Sequence, residues 1–505
     1  MGLNRREFMG SVTGSALGAA ALPWLVGLPV ARGADQPPAA SSPKRAAKNL
    51  VFMVADGMSY GALALGDAVL QMRDNRRLHW VGLMGREGVR RGLIDTRSAN
   101  GLVTDSAAAS TAWGIGELVD NGKIGMTPDG RFPTPILMQA KQAGKATGLV
   151  TTTRVTHATP AGFACNIPTN REDEDRIGAQ MLERQIDLIM GGGAKHFPLA
   201  LMQKHGGYQH VIDRAGFDAF ASGESAAGPL LATLSKSHIP FEIDRRTLKL
   251  PIPSLAEMSA AALRRMERVG AENGFVLQIE GGRVDHGGHH NDAAGLIYDM
   301  IAFDEALGTV LNWLGKRDDT LLIVTTDHAT ANPGLTEYGA RGVKGLLKAL
   351  EFRHSFEWLD TTLQKASGGK YGLAAPEPSE DGGPMAAAQG GTGQGVAEFD
   401  PEPLHAAVKE ATGIALSRAE LGVLTRWKKG EMVDGFALGS AQYGPLGSVL
   451  ANHTCIAFLS PNHTSDPVEF TAIGPGAEMV PGWSGLPEAH GLMVKALDLP
   501  PAKPV

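Results

Sequence analysis

The stretch from Glu280 to His290 reads Glu-Gly-Gly-Arg-Val-Asp-His-Gly-Gly-His-His. Two carboxylates and three imidazoles therefore fall within eleven residues. Asp and His are ligands that zinc accepts, and imidazole suits zinc better than magnesium. Asp285 and His289 stand four apart, and the glycines between and before them predict a backbone bent so that both side chains face one ion. The plain alternative is a polar, solvated loop, which would rarely collect so many ligand types directly after an apolar run. Asp327-His328 and Asp56 also follow apolar runs. Each carries little alone, because an Asp-His pair can cap or fill a core and an Asp before glycine is common in turns. Thr104-Asp105-Ser106-Ala-Ala-Ala predicts a helix start, with Thr104 or Asp105 near the cap and Ser106 at the N-terminus. Free N–H groups there favour an anion. Ser106 is also a plain capping residue unless a base or metal activates it. It does not lie in Gly-x-Ser-x-Gly, which disfavours an ordinary serine-hydrolase elbow.

Elements able to hold these residues are short apolar runs at 49–55, 146–151, 186–190, 275–279 and 320–325. Near-continuous apolar runs read as strands buried on both faces of a parallel sheet. Helical patterns lie between them, most clearly at 296–314, where Met300, Phe303, Leu307, Val310 and Leu314 recur at helical spacing. The expected fold is α/β, a three-layer α/β/α sandwich around a large, mostly parallel sheet. Ligands in such sheets gather at the carboxyl ends of the strands. That is where Asp56, Glu280, Asp285, Asp327 and His328 fall. From 335 to 450 the pattern weakens, and 368–396 is rich in Gly, Ala and Pro. This reads as an inserted subdomain with a flexible segment. The run Gly390-Gly-Thr-Gly-Gln-Gly395 is not a nucleotide loop, because no strand precedes it and no helix with Lys-Ser/Thr follows.

The 505 residues carry a formal charge of −6, against a general nucleic-acid binder. A site for anions must then be locally positive, and metals would supply that charge. Arg5-Arg6 ahead of an apolar segment rich in Gly, Ala and Ser predicts a twin-arginine export signal over 1–33, cleaved near Gly33, rather than a permanent membrane anchor. Residues 34–47 read as a linker. Cys165 and Cys455 can pair after export or remain two buried thiols.

These segments resemble, in one chain order, the motifs of the alkaline phosphatase family. They are Val54-Ala-Asp56-Gly-Met-Ser59, Val103-Thr-Asp105-Ser106-Ala-Ala108, Thr156-His157-Ala-Thr159-Pro160, Ile279-Glu280-Gly-Gly-Arg-Val-Asp285-His286, Thr325-Thr-Asp327-His328 and Asn462-His463-Thr464. The resemblance runs from about 48 to 500 apart from the insert, dividing the catalytic domain into 48–334 and 451–505. It implies a phosphomonoesterase in which Ser106 becomes phosphorylated, Arg171 grips the phosphate and Asp105 orients Arg171. It further implies one Zn2+ at Asp285, His289 and His463, a second at Asp56, Asp327 and His328, and Mg2+ at Asp56, Thr159 and Glu280. His157 and His286 stand beside the third site, where some bacterial members carry Asp and Lys, so Zn2+ or Co2+ is an alternative there. Small phosphate monoesters are the expected partners. Nucleic acid and stable membrane insertion are not expected, and homodimers are common in the family.

The match needs one inserted residue before Arg171; without it Arg154 takes that role. His453 sits in Asn452-His453-Thr454, a near-copy of the segment at His463, but the downstream Gly474-Pro475-Gly476 sets the register on His463. His290 is expected as a solvated neighbour of His289. His196, His205, His210, His238, His354 and His405 have no motif around them and are expected to be structural or on the surface. Rival readings are a phosphodiesterase, a sulfatase or a cofactor-independent phosphoglycerate mutase of the same superfamily, and a secreted metal- or phosphate-binding protein without turnover.

Overall fold

Six-residue segments in which every side chain is apolar or nearly so can be buried on both faces, and three of them form the centre of a sheet. β1 (Asn49–Val54), β7 (Phe275–Glu280) and β8 (Thr320–Thr325) are buried along their whole length. The computed structural model describes residues 46–223, 228–373, 399–430 and 443–504. The export signal at 1–33, nearly all of the linker and the glycine run at 390–395 lie outside the described residues.

The remaining strands are β2 (Arg90–Asp95), β3 (Ala146–Arg154), β4 (Leu188–Gly192), β5 (Gln209–Val211), β6 (Leu230–Thr233), β9 (Val468–Ile473) and β10 (Trp483–Gly485). They form one ten-stranded sheet in the order β10-β2-β9-β8-β1-β7-β3-β4-β6-β5. β9 is antiparallel to both its neighbours, and the other pairings are parallel. Successive side chains point to opposite faces. Leu50, Phe52 and Val54 join Leu321, Ile323 and Val276 in one core, while Val51 and Met53 join Leu277, Ile279, Leu322 and Val324 in the other. Helices cover both faces, so the expected three-layer α/β/α sandwich is the observed one.

Two strands differ in extent from the apolar runs. β4 starts two residues later than the run at 186, because Gln185 has a positive φ and Asp187 is turned to accept the Thr147 N–H. β3 continues to Arg154 through an irregular register with β4.

Helix α1 (Ser106–Ile115) and α2 (Ala158–Ala164) lie on one face. Helices α3 (Arg283–His290) and α4 (Ala293–Leu314) follow β7. Asp292 caps α4 by accepting the Gly295 N–H. Helices α5 (Gly339–Leu350), α6 (Phe356–Ala366), α7 (Glu402–Thr412), α8 (Arg418–Lys428) and α9 (Leu446–Thr454) follow. Most of them share a separate apolar cluster, which Phe241, Ile243 and Ala294 join from the sheet-bearing body. No described helix is long and apolar enough to cross a membrane.

Candidate active site

β8, β1 and β7 are neighbours and run parallel, so their carboxyl ends open on one place. Glu280 ends β7, while Asp56 and Asp327 each follow a strand by two residues. Gly57 makes the turn after Asp56 with φ +70, and a Cβ there would lie 2.5 Å from Asp285 Oδ1. Its N–H donates to Asp327 Oδ1 at 3.1 Å. The backbone bend expected from the glycines around Asp285 and His289 needs correction, because residues 283–290 form the helix α3. Asp285 and His289 share one helix face at i, i+4. Gly287 and Gly288 serve close packing instead: a Cβ on them would lie 2.7 Å from Leu296 Cα and 2.9 Å from Thr330 Cγ2.

The expected ligands converge in three groups. His289 Nε2 lies 3.3 Å from Asp285 Oδ2 and 3.0 Å from His463 Nε2, which is itself 3.6 Å from Asp285 Oδ1. His328 Nε2 lies 3.2 Å from Asp327 Oδ2 and 3.7 Å from Asp56 Oδ1. The His328 and His463 rings stack 3.6 Å apart, so these two groups touch and Asp285, His328 and His463 also form a trio able to share an ion. In the third group Asp56, Glu280 and His157 come together, and the Thr159 hydroxyl donates to Asp56 Oδ2 at 3.3 Å. His157, expected as a neighbour of this site, offers a ligand atom to it. His286 packs beside it, 5.7 Å between ring centres.

Second contacts decide which nitrogen each ring presents. His463 Nδ1–H donates to the Thr104 carbonyl at 2.8 Å, and His289 Nδ1–H to the Pro461 carbonyl at 2.6 Å. The Thr330 hydroxyl donates to Asp285 Oδ1 at 2.5 Å and accepts from His328 Nδ1–H at 3.2 Å. All three rings therefore turn an Nε2 lone pair inward, the tautomer that metal ligation requires. The His328 lone pair faces Asp327 Oδ2 and Asp56 Oδ1, and those two oxygens and Glu280 Oε1 are buried without a hydrogen-bond partner. Acceptors facing acceptors in a buried space repel, and divalent cations would resolve all of these contacts at once. The donor set thus fits zinc at the first two groups, and at the third a cation that takes two carboxylates, a hydroxyl and the His157 imidazole.

Electrostatics agree. Burial raises the Asp56 carboxyl well above its usual range, with Asp327, Asp285 and Glu280 adding to the effect. Burial and then Asp285 push Asp327 up to about 7. Burial would also raise Asp285, but His289, His463 and His328 outweigh it and hold it well below the carboxylate range. Burial and then His463 hold His328 far below the ordinary imidazole value, so the ring is neutral and able to ligate.

Ser106 is the first residue of α1, buried, and its hydroxyl donates to His328 Nε2 at 3.1 Å. Asp105 caps the helix, with Oδ1 accepting the Ala108 N–H at 2.8 Å and Oδ2 accepting Gly122 N–H at 2.9 Å. The same Oδ2 holds Arg171 Nη1 at 3.3 Å, and Arg171 Nη2 reaches His157 Nε2 at 3.2 Å. Arg154 is committed elsewhere, paired to Glu174 at 2.6 Å and bonded to His238.

His453 bonds Glu420 in the helical region at 2.8 Å, away from His463. His290 is not a solvated neighbour. It is buried against Tyr443 and Phe241, because α3 turns it away from the face that carries His289. Cys165 and Cys455 are two free, buried thiols. The sequence reading missed Thr330, whose position two residues past His328 was its one available signal. It also missed Thr151, whose hydroxyl donates to Glu280 Oε2 at 2.5 Å, and Arg283, which lies inside the Glu280–Asp285 motif. His238 stands 4.5 Å from the His286 ring centre rather than apart from the site, and no local motif signals it.

The model of the family described as alkaline phosphatase matches residues 47–355. Repressible alkaline phosphatase of Saccharomyces cerevisiae is 36% identical over 314 residues, 56% of this chain and 55% of that protein. Alkaline phosphatase 3 of Bacillus subtilis is 31% identical over 314 residues, 59% of this chain and 63% of that protein. The chain thus spans less than two thirds of the length of these curated relatives. The crystal structure of Thermus thermophilus alkaline phosphatase superposes with a TM-score of 0.74 at 31% identity, covering 91% of this chain and 93% of that one. A cold-active alkaline phosphatase from Shewanella sp. gives 0.69 at 25% identity, covering 89% and 99%. With the family model matched over more than half of its length, this chain belongs to the alkaline phosphatase family.

Proposed function

We propose that the chain hydrolyses phosphate monoesters to an alcohol and inorganic phosphate by phosphoryl transfer to Ser106. The observation that carries this reading is the placement of Ser106 at a helix N-terminus, 3.1 Å from an inward-facing imidazole of the ligand cluster. Zn2+ at Asp285, His289 and His463, Zn2+ at Asp56, Asp327 and His328, and Mg2+ at Asp56, Thr159 and Glu280 would supply the positive charge that eases ionisation of the serine and of the departing alcohol. Ser106 Oγ forms the new bond to phosphorus as the ester oxygen leaves with its pair. Water then forms a bond to the same phosphorus, the Oγ–P bond breaks and phosphate departs. Arg171, held flat by Asp105, pairs two phosphoryl oxygens with its planar fork, which a lysine could not copy. The N–H groups at the start of α1 favour the same anion. The twin arginines at Arg5-Arg6 support export and action in the periplasm or outside the cell. Pairing of two copies belongs to the same reading, and light scattering on the purified protein checks it.

Hydrolysis of p-nitrophenyl phosphate from neutral to alkaline pH, beside the corresponding diester and sulfate ester, tests the reaction class. Turnover of the monoester well above both, lost in chelator and restored by zinc and magnesium, is the expected result. Phosphoserine at Ser106 in acid-quenched protein should appear by mass spectrometry. Faster turnover of the diester or the sulfate would overturn the reading.

A further inference from the structure

Ser106 begins α1, and the residues before it are held from one side by a single side chain. Asn121 Nδ2–H donates to the Val103 carbonyl at 3.0 Å, and Asn121 Oδ1 accepts the Asp105 N–H at 3.1 Å. Backbone groups two residues apart face the same way in an extended chain, so the carboxamide stands where a neighbouring strand would. The partners also fix which atom is oxygen, because a carbonyl needs a donor and an N–H an acceptor. The Thr104 carbonyl between them is turned to His463. Asn121 is itself held. Its N–H donates to Asn100 Oδ1 at 3.0 Å, and the Ala99 N–H donates to the Val119 carbonyl at 2.8 Å.

The next residue serves the other half of the site. Gly122 N–H donates to Asp105 Oδ2 at 2.9 Å, and the Gly122 carbonyl accepts the Arg171 N–H at 2.9 Å. Arg171 is thus tied twice to this glycine, through its own backbone and through the Asp105 carboxylate that its guanidinium meets. The turn is tight. Lys123 N–H donates to the Asp120 carbonyl at 3.2 Å, and Gly122 takes φ +79, a conformation that favours glycine. Thr111 of α1 locks the exit, its hydroxyl donating to the Lys123 carbonyl and accepting the Gly125 N–H, both at 3.1 Å. Two adjacent residues therefore hold the backbone before the serine and the arginine.

We infer that Asn121 is a positioning residue for the attacking Ser106: its carboxamide aims the backbone that leads into the serine, from the same turn whose Gly122 fixes Arg171. The inference rests on the reading of Ser106 as nucleophile and Arg171 as phosphate grip. Asn121 acts on the direction of Ser106 Oγ and Gly122 on the grip. Loss of the carboxamide therefore slows bond formation without weakening phosphate binding. An attacking atom displaced by about 1 Å costs on the order of a hundredfold in rate. Asn121 is half-buried, so water can take over its two bonds, and what is lost is direction rather than the fold.

The test is a split between rate and binding in the full chain loaded with zinc and magnesium. Asn121→Ala should lower kcat for p-nitrophenyl phosphate by roughly 10- to 100-fold. Its Kd for inorganic phosphate, measured by titration calorimetry, should stay within about twofold of wild type. Its zinc content should not change, because Gly122, Asp105 and Thr104 keep their own bonds. Ser98→Ala is the control for plain loosening of the same loop, since the Ser98 hydroxyl bonds Asn100 Oδ1 at 3.1 Å and the Gly101 carbonyl at 3.3 Å. It should hold kcat within about twofold. An unchanged kcat in Asn121→Ala, a parallel loss of phosphate or zinc binding, or an equal loss of rate in Ser98→Ala overturns the inference. Hydrogen exchange gives a readout free of turnover. The Asp105 N–H should be protected in the wild type and exchange on the order of tenfold faster in Asn121→Ala. Unchanged exchange in the variant overturns the inference, and so does an unprotected wild-type N–H, even if the variant does not fold. Wild-type protein without monoester turnover would refute the proposed reaction instead, and exchange would still decide whether Asn121 holds the chain before Ser106.

Discussion

The molecule holds two groups of buried acids that look alike by burial and differ in their oxygens. At the ends of β1, β7 and β8, Asp56, Asp327 and Glu280 each keep one buried oxygen without a hydrogen-bond donor. At the junction with the helical region, Asp244, Asp292 and Asp299 are as deeply placed, yet backbone and side-chain donors meet them. Asp292 accepts the N–H groups of Gly295 and Phe356, Asp299 accepts that of Glu242, and Asp244 accepts from Ser355 and His354. Both groups have raised carboxyls: Asp327 at about 7, Asp292 at about 7 and Asp299 at about 8. A raised carboxyl therefore does not distinguish a ligand from a strut. An orphaned oxygen facing other acceptors does, because its neighbours bring no proton to it and a bound cation satisfies several such oxygens at once.

The sharpest break of this comparison comes from the reacting end. Ser106→Ala should lower kcat on the order of a thousandfold or more while leaving bound zinc unchanged, read by p-nitrophenyl phosphate turnover and metal analysis. Asp327→Asn should lose metal as well as activity, whereas Asp299→Asn should keep its metal content and hold kcat within about twofold, since the amide oxygen still accepts the Glu242 N–H. Equal metal loss in both variants would erase the distinction between the two groups.

Arg171→Lys should lower kcat/KM by roughly 10- to 100-fold, the loss of one charge-assisted fork. Arg154→Lys, a change in the pair with Glu174, should have a much smaller effect. The reverse order would move the phosphate grip to Arg154.

Chelation separates the groups by stability. Ions that bind the folded chain stabilise it by about 2.7 kcal/mol per site at a hundredfold excess over Kd, so stripping metal should lower Tm with calorimetry as the readout. The Asp299→Asn protein should lose the same increment, because its acid group holds no ion.

The smallest effect is in pH. Burial lifts Asp292 to about 7 and Asp299 to about 8 in the folded chain, against an ordinary value of about 4. Glu242, Asp244 and Arg283 face Asp299, and Asp244 faces Asp292. A carboxyl raised on folding contributes stability that is full below about pH 4 and is lost as pH climbs to about 8. Asp299→Asn should flatten that part of the Tm profile. An unchanged slope would mean that the acid ionises freely where it stands.

Much of the fold was legible locally. The runs at 49–55 and 320–325 are apolar without alternation, which suits strands covered on both faces, and the structure agrees almost residue for residue. Ser106 at a helix start followed from Asp105 and the alanines. The error at α3 arose because glycine supports two readings, a bend or a close approach, and Leu296 selects the second from outside the segment. His290 was misplaced for the same reason. The direction of its ring depends on the helix that carries it and on Tyr443.

By itself the sequence determined which chemical groups are present, their order, and their attachment to strands that must end together in a parallel sheet. Those features depend on residue type and on periodicities of a few residues. The tertiary structure alone decided which lone pair each imidazole shows. A ring's tautomer follows the group beyond it, and that group lies 359 residues away for His463 and 172 for His289. For His286 the guanidinium is three residues away, but the carboxylate behind it is 74 residues further along the chain from Arg283. No local pattern carries such distances, because they are closed by packing alone.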